Sequence, residues 1–207
     1  MLKSKTMTVQ KNGDLVYLSF PKIDAAGGAT CVFTTKFGGV SEGPFSTMNM
    51  SFSRGDKSDH VLENYKRLCD AAGIDNTRLI FTKQTHTTNV YTANPEFIGS
   101  STPTDPSYND IDGLVTDLKG VGLVSQYADC VPLVFYDPIR KVIATSHAGW
   151  RGTVGKIAEE TIKKMVSDYG CNTKDIIAGI GPSVSKCCYE VDDPVMCKVR
   201  ALDFIKL

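Results

Sequence analysis

The chain has 207 residues, enough for one large domain and too few for two typical ones, with 42% hydrophobic and 22% charged residues as in ordinary globular proteins. Lysine plus arginine and aspartate plus glutamate stand at 23 each, so no basic or acidic excess argues for nucleic acid or a membrane surface as partner. No apolar run approaches the roughly 20 residues that span a bilayer, and the N-terminal MLKSKTMTVQKNGD lacks the apolar core of a signal peptide, so the expectation is a cytoplasmic protein.

Residues 15–20 and 31–35 read as short strands joined by a Pro/Gly/Ala-rich connection. The following KFGGVSEGPFSTMN, residues 36–49, is a loop: either a surface turn or a place where backbone approaches a ligand closely. Residues 59–72 read as a helix with Val61, Leu62, Tyr65, Leu68, Cys69 and Ala72 on one face, capped by Ser58 or Asp59 and ended by Gly73. Residues 79–82 and 89–91 read as strands flanking KQTH, residues 83–86. Residues 100–109 form a polar loop, and 112–116 a further strand.

Residues 121–136 alternate and then run apolar, Asp137-Pro138 supplies a turn, and 142–146 is the second strand of a hairpin. This reading sets Cys130 within a strand and His147 where the next one ends, before HAGWRG. Residues 153–169 give the clearest helix, with an inner stripe of Val154, Ile157, Ala158, Ile162, Met165 and Val166 and a stop at Gly170. A strand over 175–180 follows. Strands separated by two good helices predict a mixed α/β fold.

Seven cysteines, an odd number without C-x-x-C, fit a reducing compartment better than a disulfide framework. Cys31 and Cys69 read as small buried hydrophobes, and the adjacent Cys187-Cys188 as packed residues, with a redox pair as the alternative. Of three histidines, His60 sits among acidic neighbours on a helix surface, whereas His86 and His147 follow strands. Together with Cys130 they suffice for a three-ligand zinc site with an open fourth position, and Cys130 with His147 would also suffice for a nucleophile–base pair. Arg151, beside a helix start, either binds an anion or makes a fixed ion pair; Trp150 is core or a lid. Asp129 is better cast as support than as a ligand.

The segments FTTKFGGVSEGPF, VLENYKRL, KQTH, DGLVTD, ADCVP, HAGWRGT and IGPSVSKCCYEV resemble, in order, the motifs of the laccase-domain, polyphenol oxidase-like family. The resemblance runs from about residue 34 to 191 and implies a single-domain, four-layer α/β/β/α sandwich with mixed sheets. It also implies a metal on His86, Cys130 and His147, and phosphorolysis of purine nucleosides such as adenosine and inosine, with adenosine deamination as a second activity. Zinc suits one thiolate and two imidazoles, with copper as the alternative behind the oxidase label. Purine nucleosides and inorganic phosphate are then the partners, with Lys36, Lys83, Gln84 and Arg151 as binding residues. Lys36 and Tyr65 stand where the family carries arginine, and the family's final strands have no counterpart before Leu207. A metal-free cysteine hydrolase or amidase acting on peptidoglycan precursors, and a non-enzymatic binding module, are the competing expectations.

Overall fold

The structure, a computed structural model, describes residues 6–99 and 108–202. It opens with the hairpin β1 (Thr8–Asn12) and β2 (Leu15–Ser19), which turns through Gly13 at φ 58°. A short helix α1 (Pro21–Ala26) leads to β3 (Val32–Thr34), and the three strands form one antiparallel sheet. The sequence reading contained neither β1 nor α1. Gln10 and Lys11 hide the alternation of β1, and α1 is a single Pro-initiated turn and a half.

Helix α2 (Ser58–Ala72) carries the predicted face, with two corrections. Leu62 points outward, 55% exposed, and the polar Asn64 takes a fully buried place instead. Its N-cap is Lys57, with no side-chain cap bond, while Gly73 ends the helix in the left-handed region as expected. Asn64 is buried because it is satisfied: its amide bonds Ser41 Oγ at 2.9 Å and Asn49 O at 2.8 Å, and its oxygen accepts from Val40 N at 2.8 Å. Helix α2 thereby pins the glycine-rich loop.

The remaining strands are β4 (Leu79–Lys83), β5 (Val90–Thr92), β6 (Tyr108–Asn109), β7 (Gly113–Thr116), β8 (Gly122–Val124), β9 (Val131–Asp137) and β10 (Val142–Ala148). The predicted polar loop at 100–109 lies almost wholly outside the described residues. The apolar stretch at 121–136 is two strands in two sheets, not one. β8 pairs with β4 in a parallel sheet ordered β6-β4-β8, and β9 pairs with β10 at the core of the central sheet.

The last elements are α3 (Trp150–Val154), α4 (Ile157–Tyr169), β11 (Ile177–Ile180) and α5 (Asp193–Arg200). The helix predicted over 153–169 is therefore broken. Lys156 adopts φ 63°, a left-handed conformation that stops α3 and starts α4 in a new direction.

The central sheet has the order β11-β9-β10-β7-β5, antiparallel except for the β5–β7 pair. Strand alternation gives it two apolar faces. Val115, Phe135, Val142 and Ala144 pack against Met165, Ala158 and Ile162 of α4. The opposite face meets the smaller sheets: Tyr136 and Ile143 against Leu18 and Phe33, and Leu114 against Ile80. Those sheets are covered in turn by α2, through Val61, Tyr65, Cys69 and Leu68. The layers thus run α4, central sheet, two small sheets, α2, a mixed α/β sandwich. Fully burying a side chain such as Ile80 or Leu114 contributes about 1.5–3 kcal/mol each, which makes these interfaces the main source of stability.

Candidate metal centre

Three segments distant in sequence converge at one end of the sandwich. Strand β10 carries His147 as its penultimate residue, paired opposite Pro132 of β9. Cys130 stands one residue before β9 rather than within it, which frees its side chain from strict strand alternation. His86 comes from the loop after β4 and holds φ 67°. The candidate ligand atoms of His86, Cys130 and His147 all lie within 4.8 Å of one another. The two imidazole rings meet edge to face with centroids 4.8 Å apart.

Glycine makes this approach possible. Gly149, Gly152 and Gly155 recur every third residue along and beside α3 and lie against successive positions of the loop from His86. A methyl at Gly149 would stand 2.6 Å from His86 Cδ2 and 3.3 Å from Cys130 Sγ. At Gly152 it would meet Thr87 O at 3.2 Å, and at Gly155 Thr88 Cγ2 at 2.6 Å. The HAGWRGTVG segment is therefore a backbone surface on which the His86 loop rests.

Behind these three side chains, Asp112 is completely buried. Its carboxylate accepts from His147 Nδ1 at 2.7 Å, from the amides of Thr85, His86 and Thr87 at 3.2, 3.1 and 2.8 Å, and from Thr87 Oγ1 at 2.9 Å. Burial alone would raise its pKa, but these hydrogen bonds outweigh it and hold the carboxyl down at about 2. Tyr127 supports the other side of His147, with ring centroids 5.7 Å apart and its hydroxyl donating to Ser146 O at 3.1 Å. Burial pushes that phenol up to about 12, so it stays a neutral donor.

The cluster opens onto a groove of about 1880 Å³ between β3, β8, the inner face of the central sheet and α2. Lys83 and Gln84 line this groove with His86, Cys130 and His147, and so do Asn49 and Arg54, which the sequence reading did not single out. The Gln84 amide donates to Gln126 O at 2.8 Å and accepts from Gln126 N at 2.7 Å, clamping the rim. Lys36 and Arg151 are not among the lining residues. The Lys36 ammonium lies 5.5 Å from the Phe37 ring, and the Arg151 guanidinium 4.3 Å from Trp150. The helix start beside Arg151 is α3, which has only five residues and little dipole to offer an anion.

The other thiols stand apart. Burial pushes Cys31 up to about 12 and Cys69 up to about 11, leaving both as inert thiols. Cys187 and Cys188 are exposed rather than packed, with sulfurs 3.2 Å apart. His60 lies 3.8 Å from Asp56, away from the cluster.

Residues 30–205 match the family described as multi-copper polyphenol oxidoreductase laccase. The chain belongs to that family. It is 41% identical over 171 residues to the purine nucleoside phosphorylase YlmD of Bacillus subtilis, covering 82% of this chain and 62% of that protein. It is 34% identical over 166 residues to the adenosine deaminase RL5, from an unknown prokaryotic organism, covering 79% of this chain and 63% of that one. The chain thus spans less than two thirds of these relatives. Among solved structures, the Bacillus licheniformis hypothetical protein YfiH superposes with a TM-score of 0.86 at 34% identity, over 95% of this chain and 72% of that one. YlmD from Geobacillus stearothermophilus superposes at 0.79 and 32%, over 93% and 71%.

The family description implies a metal, and the residues present fit one. Two imidazoles and a thiol converge on a volume kept clear by Gly149, and Nδ1 of His147 is already taken by a carboxylate, the usual arrangement behind a metal-ligating histidine. This is the one such cluster among the described residues, and the chain's third histidine, His60, lies apart from it beside Asp56.

Proposed function

We propose that this protein is a zinc-dependent purine nucleoside phosphorylase acting on adenosine, inosine and related nucleosides, with adenosine deamination as a second activity. The observation that carries the reading is the His86, Cys130 and His147 trio, three candidate ligands with no fourth among the described residues, on the wall of a groove large enough for a nucleoside. Relatives named as purine nucleoside phosphorylases and an adenosine deaminase support the substrate class. Seven free cysteines suit a reducing compartment such as the cytoplasm.

When bound, the ion supplies a Lewis acid on the groove side of the trio. The chain's own groups do the rest. Lys83 and Arg54, both on the groove wall, offset the charge of inorganic phosphate. A phosphate oxygen bonds to the ribose anomeric carbon while the bond to the purine nitrogen breaks, its electron pair leaving with the base. The Gln84–Gln126 clamp holds one edge of the groove rigid during this exchange.

The metal-free cysteine hydrolase fits less well. Burial and the nearby Asp129 and Asp112 charges raise the Cys130 pKa, the opposite of what an activated nucleophile needs. The test is release of hypoxanthine from inosine by metal-loaded protein, with and without phosphate. The proposal expects phosphate-dependent release that Cys130→Ser abolishes. Release at the same rate without phosphate would contradict it.

A further inference from the structure

We propose that Asp112 is the positioning residue of this centre, one carboxylate that sets the tautomer of His147 and the backbone of His86 together. The inference rests on the trio being a metal site, yet its main readout needs no metal. Five donors converge on the carboxylate. Oδ1 accepts from His147 Nδ1 at 2.7 Å and His86 N at 3.1 Å. Oδ2 accepts from Thr85 N at 3.2 Å, Thr87 N at 2.8 Å and Thr87 Oγ1 at 2.9 Å. Three consecutive main-chain amides wrapped around one group form an anion nest, and neither oxygen has room for a proton of its own.

Two consequences follow from that acceptor-only environment. Nδ1 of His147 must carry the ring proton, so the lone pair sits on Nε2, the nitrogen left to face Cys130 and His86. His86 meanwhile occupies the left-handed region, which a non-glycine residue keeps only where its surroundings hold it there. Its amide bond to Oδ1 is part of that hold. The main chain of Asp112 adds to the grip, because its carbonyl accepts from His147 N at 2.7 Å. The tie spans 35 residues to His147 and 26 to His86, so it assembles the site only once β7, β10 and the loop after β4 have come together.

Asp112→Asn separates positioning from general structural support. Asparagine offers one acceptor and one donor edge, and the three donors around Oδ2 select its oxygen. Its NH2 then faces His147 Nδ1 and forces the proton onto Nε2. Long-range ¹⁵N–¹H correlation spectra of metal-free protein, recorded where imidazole is neutral, should show His147 protonated on Nδ1 in the wild type and on Nε2 in the variant. Zinc affinity, measured by competition with a chromophoric chelator, should fall about 10- to 100-fold, while the far-UV circular dichroism stays unchanged. Wild-type His147 protonated on Nε2 would overturn the proposal without any variant, should Asp112→Asn fail to fold. A tautomer switch with unchanged zinc affinity would overturn it too. A switch in a pair of proteins that both bind no zinc would uphold Asp112's control of His147 and sink the metal centre itself.

Discussion

At the scale of single residues, space at the centre is set by one missing side chain. Gly149 has φ −66° and ψ 174°, a conformation any residue adopts, so Gly149→Ala carries no backbone strain. Its effect is steric, a methyl 2.6 Å from the His86 ring and 3.3 Å from the Cys130 sulfur. Zinc affinity should fall by about tenfold or more with the fold intact, and a chelator-competition titration checks it. Unchanged affinity would mean the trio does not close on an ion where Gly149 makes room. That His86, Cys130 and His147 could meet was legible in the sequence, because two histidines after strands and a cysteine form a donor set with few other uses, and the three do converge. Asp112 was not. It reads only as the first residue of a strand over 112–116, and its bonds to His86 and His147 exist only after long-range folding.

Between elements, the join of β10 to α4 depends on a buried polar chain. Ser146 Oγ and Thr161 Oγ1 are 2.6 Å apart, and Thr161 bonds Ile157 O at 2.7 Å, with both residues fully buried. Thr161→Val keeps the shape and leaves the Ser146 hydroxyl unpaired, so urea unfolding should show a loss of about 1–3 kcal/mol. The α3–α4 break makes the opposite prediction. Lys156→Gly relieves a left-handed non-glycine residue and should stabilise by about 0.5 kcal/mol after glycine's extra unfolded-state entropy is subtracted. Helices α2 and α4 and the β9–β10 hairpin were readable from 3.6-residue and two-residue periodicities and from the Asp137-Pro138 turn. The break was not, since the apolar stripe of residues 153–169 runs on past it, and what interrupts the helix is Lys156 in the left-handed region, just after Gly155, which lies close against Thr88. Splitting 121–136 between two sheets is likewise a tertiary outcome that no local pattern encodes.

Across the whole molecule, the layers are tied by carboxylates whose loss should mark acid unfolding. Hydrogen bonds from Ser167, Lys164 and Thr92 hold Asp168 down at about 2, fastening α4 to β5. Buried Asp137, opposed by desolvation, is still lowered by amide bonds from Arg140 and Ile139 at the β9–β10 turn. Both folded pKa values lie below the unfolded value of 3.8, so their stabilisation is present above it and is lost as pH falls below it, for Asp168 toward about 2. The urea midpoint should drop across that window, and Asp168→Asn should flatten the drop. A flat midpoint in the unmodified protein would contradict this. The same layered frame brings one cysteine and two histidines to a shared groove. X-ray absorption at the zinc edge of the loaded protein tests that claim most directly. The account predicts one sulfur at about 2.3 Å with the remaining scatterers nitrogen or oxygen near 2.0 Å. A shell without sulfur, or with two or more, would contradict it.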